Sequence, residues 1–127
     1  MKIYVAAQFE QKKTVEKIYK GLIDKGHQIA GSWLEHKYVK PYSENQELCA
    51  EYSLTDIDGV LESDVFILIS DFEGRGKFVE FGAALASYKF FGHPKVFVVG
   101  KSNSDMMFYF HPAVTRRSDV EEVLTEL

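Results

Sequence analysis

Carboxylates are the side chains whose placement could do chemistry in this sequence. Glu80 follows a loop, Ser70 to Gly76, punctuated by Gly74 and Gly76, which open backbone geometries closed to other residues. It is expected in the first turn of the helix that this loop starts. There the helix dipole favours an anion, which keeps a carboxylate ionised and available as a nucleophile. A glutamate that merely complements the dipole would sit in the same place. Asp56 falls one residue off the apolar stripe of the preceding helix, at the edge of the core. It reads either as a second working carboxylate or as an ordinary polar neighbour of the core. Asp64 begins a strand, and Asp71 suits a turn through its side-chain hydrogen bonding.

Other chemistries find little support. No GxGxxG, GxxxxGK[ST] or GxSxG pattern occurs, so the dinucleotide fingerprint, the Walker loop and the serine elbow are all missing. His27, His36, His93 and His111 are scattered without ligand spacing, and Cys49 is the single cysteine, so neither a metal nor any other cofactor is expected. A net charge of −4 with no long run of like charges argues against a nucleic-acid polymer or a membrane surface as partner. Lys12, Lys13, Lys17 and Lys20 alternate with apolar residues as the wet face of a helix does. The lone cysteine, and a first segment patterned as a strand rather than a leader, lead us to expect a cytoplasmic protein.

The elements that would position the carboxylates follow from periodicity. Lys2 to Ala7 is a short apolar run for a buried strand. From Gln11 to Lys25 apolar residues recur at Val15, Ile18, Tyr19 and Leu22 on one helical face, and Gly26 ends the helix. A short strand, His27 to Ala30, precedes the polar and aromatic loop Gly31 to Ser43, which holds Trp33 and is long enough to form a pocket wall. A second helix is expected from Ser43 or Glu44 to Glu62, capped by Ser43 with Gln46 in box position, and buried through Ala50, Leu54, Ile57 and Leu61. Gly59 within it points to close approach by another backbone or a ligand. Val65 to Ile69 is apolar at every position, as in a strand covered on both faces. The next helix is rich in small residues, from Gly82 to Ala86. Val96 to Val99 and Ala113 to Thr115 read as further strands, and Ser118 to Leu127 as a closing helix with Ser118 as N-cap and Glu121 in box position.

This alternation predicts one domain over residues 1–127, an α/β three-layer sandwich of flavodoxin or Rossmann type. Its five-stranded parallel sheet has the expected order 2-1-3-4-5. Ligands in such sheets bind beyond the carboxyl ends of the strands, at the switch in strand order. That crevice collects Ala7, Gln8 and Phe9 after the first strand, and Asp71, Gly74, Arg75, Gly76 and Glu80 after the third. Trp33, Phe9 and Tyr38 are aromatics that could stack on a base, although an aromatic more often serves as core.

The joint spacing D-x(7)-D-x(15)-E-x-G, formed by Asp56, Asp64, Glu80 and Gly82, resembles the nucleoside 2-deoxyribosyltransferase family and the related 2'-deoxynucleoside 5'-phosphate N-hydrolases. The opening KIYVAAQF, with its Tyr4, is similar to that family's first strand, and the resemblance extends to the loop near Ser104. It implies that Glu80 attacks the anomeric carbon of a deoxyribosyl group, that Asp56 is the acid/base or positioning carboxylate, and that Tyr4 orients Glu80. It also implies a nucleoside or nucleotide substrate, a pocket lined by Glu35 and His36, and a homodimer or larger homo-oligomer. In that assembly Ser104, Asp105 and Met106 would reach a neighbouring subunit's site. Nucleotide-hydrolysing relatives carry a glycine-serine turn and a loop serine for the 5'-phosphate. Here those places hold Ala7-Gln8 and Gly74, leaving Arg75 and Lys77 as the cationic groups nearby.

Two other classes compete. A non-catalytic sensor of nucleotide derivatives would use the same crevice without breaking a bond. A receiver-type partner-binding module would need an acidic cluster after the first strand, where this chain has Ala6-Ala7-Gln8. His111, within FYFHP, is a further candidate acid.

Overall fold

The computed structural model describes residues 1–31, 33–71 and 74–127; positions 32, 72 and 73, which belong to the two loops singled out above, lie outside the described residues. Five strands form one sheet: β1 (Lys2–Ala6), β2 (Gln28–Ile29), β3 (Val65–Ile69), β4 (Lys95–Val99) and β5 (Val114–Arg117). All neighbours run parallel, in the order β2-β1-β3-β4-β5. β3 is buried at every residue and β1 from Ile3 onward, as a central strand covered on both faces requires.

Among the described residues four α-helices cover the sheet: α1 (Lys12–Asp24), α2 (Gln46–Glu62), α3 (Arg75–Phe91) and α4 (Val120–Leu124). α2 packs against α3 on one face, while α1 and α4 share the other, where Lys25 and Glu121 pair at 3.5 Å. α1 buries Val15, Tyr19 and Leu22, the face its periodicity predicts, and ends before Gly26, whose φ of 89° suits glycine.

Three local expectations are corrected. α2 starts at Gln46 with Asn45 at its cap; Ser43 lies in a preceding 3-10 turn and its carbonyl accepts from Gln46 Nε2. The stripe Ala50, Leu54, Ile57 and Leu61 is turned largely outward, with Leu54 67% and Leu61 39% exposed. α2 carries apolar residues on two faces, and the face presented to the sheet is the one bearing Gly59 and Val60. A Cβ on Gly59 would lie 2.8 Å from Gly31 Cα and 3.1 Å from Tyr4 Cε2, so the close approach there is by backbone and by an aromatic ring. α4 is capped by Asp119, whose Oδ1 accepts from Glu122 N–H at 3.0 Å, which moves the predicted box one residue along.

A further correction bears on the site. α3 begins at Arg75 with Gly74 as its cap and has no acidic residue in its first turn. Glu80 therefore lies in the second turn, further from the dipole's positive end than its distance from the glycines implies. Register places Tyr4 beside Phe66, and their rings stack at 5.8 Å. Phe66 continues to Phe81 at 6.4 Å, and Phe81 meets the edge of Tyr109 at 5.7 Å. This aromatic row runs from β1 and β3 into α3, the helix that carries Glu80. No helix among the described residues is long and apolar enough to cross a membrane.

Candidate active site

Tyr4 is fully buried, and its hydroxyl donates a hydrogen bond to Glu80 Oε2. The pairing follows from topology. β1 aims Tyr4 toward the α2/α3 face, and α3 sets Glu80 one residue before the buried Phe81. Burial pushes the Glu80 carboxyl up to about 8; the Tyr4 hydrogen bond opposes this and the charge of Asp56 adds to it. Burial, followed by the charges of Glu80 and Asp56, raises the Tyr4 phenol. These mutual influences place Tyr4, Glu80 and Asp56 in one electrostatic cluster.

Asp56 faces inward from α2, one turn before Gly59 and Val60. Its carboxyl is pushed up to about 6 by burial. Oδ1 is buried without a hydrogen-bond partner among the described residues, and His36 Nε2 stands 3.5 Å from it. Burial lowers the His36 imidazole below the ordinary histidine range, so at neutral pH this contact joins a neutral ring to a carboxyl group.

The remaining predicted residues are placed as follows. Trp33 is 6% exposed, and its Nε1–H donates to Val5 O at 2.8 Å, committing its polar edge to the sheet. Ala7 and Gln8 are half-buried at the end of β1, with Phe9 39% exposed beyond them. Gly74 presses on Gln8, where an added Cβ would meet Gln8 Cα and Cβ at 3.4 Å. Arg75 and Gly76 are exposed on the first turn of α3. Asp71 is engaged by the chain itself, its Oδ1 accepting from Lys101 N–H at 2.9 Å, which ties the loop after β4 to the end of β3. On that loop Ser104 is exposed and Met106 packs against the core. Glu35 and Tyr38 are exposed, while His111 Nδ1 accepts from Ala113 N–H at 3.0 Å. Asp64 Oδ2 accepts from Lys2 N–H at 2.8 Å, a contact that starts two strands.

Lys77, one of the two cationic groups that the sequence places near the loop, is turned inward. It is 1% exposed, and its Nζ donates to Ile69 O at 3.0 Å and Asp71 O at 3.3 Å, so the ammonium holds the end of β3. Two groups escaped the sequence reading. Tyr19, counted as core, gives its hydroxyl oxygen to Val5 N–H at 3.3 Å and feels the charges of Glu80 and Asp56. Tyr52 stacks on His36; its position four residues before Asp56, one helical turn away, was the available signal. Among the described residues no group of three His, Cys, Asp or Glu side chains could hold a metal ion.

Comparison with known proteins yields a fold. The chain is similar to a CMP N-glycosidase of Clostridium botulinum, BcmB, with a TM-score of 0.60 over 99% of this chain and 97% of that one, at 19% identity. No protein-family model and no curated protein sequence matches it.

Proposed function

We propose that this protein cleaves the N-glycosidic bond of a deoxynucleoside, nucleoside or nucleotide, passing the sugar to another base or to water. The observation that carries the proposal is the hydrogen bond from the buried Tyr4 to Glu80, with Asp56 beside it. The fold shared with a protein described as a CMP N-glycosidase agrees with it. Glu80 attacks the anomeric carbon as the C–N bond breaks, the bonding electrons leave with the base, and Asp56 supplies the base with a proton. The resulting glycosyl ester is opened by a second base or by water, which returns a proton to Asp56.

The proton balance of the free pair runs the other way. With Glu80 near 8 and Asp56 near 6, the resting proton belongs mainly to Glu80. Moving it to Asp56 costs about 3 kcal/mol. An oxocarbenium-like sugar supplies the compensation, because its positive charge beside Glu80 in a site of low dielectric favours the ionised carboxylate. The nucleophile is thus switched on by the transition state itself.

The assay is free-base release from a panel of deoxynucleosides, ribonucleosides and their monophosphates, with and without an acceptor base. Turnover of at least one member supports the proposal, and inertness toward all of them refutes it. A second reading, a non-catalytic nucleotide-derivative sensor, draws on the neutral resting state of Glu80, which suits a hydrogen-bonding acid as well as a nucleophile. It requires ligand binding that survives Glu80→Gln with no base released.

Self-association belongs to the same proposal. The outer faces of α2 and α3 leave Leu54, Val79 and Phe90 at least 65% exposed, with Gly82 and Ala86 small and exposed between them. A second copy of the chain is the proposed cover, with the Ser104–Met106 segment completing a neighbouring site.

A further inference from the structure

We propose that Tyr52 is a positioning residue of this site, holding His36 against Asp56 so that Asp56 presents its proton to the departing base. This inference rests on the N-glycosidase reading. The His36 and Tyr52 rings lie 3.8 Å apart and within 4° of parallel. The Tyr52 hydroxyl oxygen also accepts from Lys37 N–H at 3.1 Å. One contact fixes the imidazole and the other fixes the backbone of the next residue, so a loop side chain is pinned at two points to a rigid helix. Tyr52 and Asp56 are neighbours on that helix, one turn apart. An imidazole laid on the first is thereby directed at the second.

The contact has a chemical use. Asp56 Oδ1 is buried and unpartnered among the described residues, and His36 Nε2 is 3.5 Å away. A small closing of that 3.5 Å gap lets a neutral imidazole with its hydrogen on Nε2 donate to Oδ1, which leaves the Asp56 proton on Oδ2. When the C–N bond breaks, its electron pair goes to the base nitrogen and the Oδ2 proton follows. Asp56 is left an anion stabilised by the Nε2–H donor. Attack by water or a second base on the glycosyl ester releases a proton that returns to Oδ2. No redox partner is needed, and His36 itself gains and loses nothing. The groups acting on the His36 charge are Asp56, Glu35 and Glu51, which favour the cation, and Lys12, which opposes it; burial outweighs them and keeps the ring neutral.

The test compares Tyr52→Leu with Tyr52→Phe by two readouts. The first is the nitrogen NMR titration of the His36 imidazole. In wild type it titrates below the ordinary value of 6.5; in Y52L it moves back toward that value, and in Y52F, which keeps the ring, it stays depressed. The second is the pH profile of base release. Y52L lowers kcat about tenfold, with KM changed less than about twofold and the acid-side limb shifted upward, while Y52F loses no more than about threefold. Should Y52L fail to fold, Tyr52→Met, an unbranched apolar side chain, takes its place with the same expectations. A His36 titration unmoved by losing the ring overturns the proposal, as does a base-release profile that superimposes on wild type. If wild type releases no base, the functional reading fails. The NMR titration then still decides whether Tyr52 sets the state of His36.

Discussion

At the scale of single residues, the site turns on two carboxyl groups raised to different extents by burial. Glu80 must be ionised and Asp56 protonated for the proposed chemistry, so kcat/KM should trace a bell with limbs near 6 and 8, highest at about 7. Asp56→Asn should remove the limb near 6 and lower kcat by about a hundredfold or more, read from initial rates across pH. Tyr4→Phe removes the hydrogen bond that lowers Glu80, so the upper limb should move to higher pH, with kcat/KM falling by about tenfold to a hundredfold. The same titration reaches stability. Glu80 has its folded-state value raised from 4.5 to about 8, so the folded chain keeps a proton that the unfolded chain gives up. The resulting stabilisation is complete below 4.5 and is lost as pH rises through 8. Asp56 acts in the same direction between 3.8 and about 6. Thermal melts of wild type should fall steadily from about pH 5 to pH 8.5, whereas Glu80→Gln should flatten that slope and melt several degrees higher, roughly 5 °C, at the alkaline end.

At the scale of elements, most of the architecture was legible because strand and helix periodicities speak locally. VFILI announces a strand covered on both faces, and Gly26 ends its helix where expected, at positive φ. α2 was misread because it is apolar on two sides, and local spacing has no means of telling which side meets the sheet. Gly59 held the answer. It is the residue that must face the sheet, since its Cβ would strike the Gly31 backbone. Gly59→Ala should therefore destabilise the chain by about 2 kcal/mol or more, measured by urea unfolding. The sequence reading starts α3 two residues late because Arg75 and Gly76 are already helical, and that small difference moves Glu80 from the first turn to the second. Its raised titration follows from that deeper, drier position. Tyr4 and Glu80 could be singled out by resemblance, but the contacts of Trp33 and Asp71 are long-range in sequence and invisible to any local pattern.

At the scale of the molecule, the sheet order brings the ends of β1 and β3 together, and α2 and α3 pack side by side over them. The two helices that carry Asp56 and Glu80 also present the exposed apolar stripes, so the proposed assembly and the proposed chemistry share their supports. Leu54→Glu should leave the melting profile of the fold near that of wild type while reducing the mass seen by light scattering to that of one chain. A wild type that is monomeric at micromolar concentration would remove the proposal of a shared site. The central claim concerns Glu80, and free-base release by wild type and Glu80→Gln, on the substrate that wild type turns over best, tests it most directly. The account predicts that the substitution lowers the rate by about a thousandfold or more while the folded structure persists. Full activity in Glu80→Gln would contradict it.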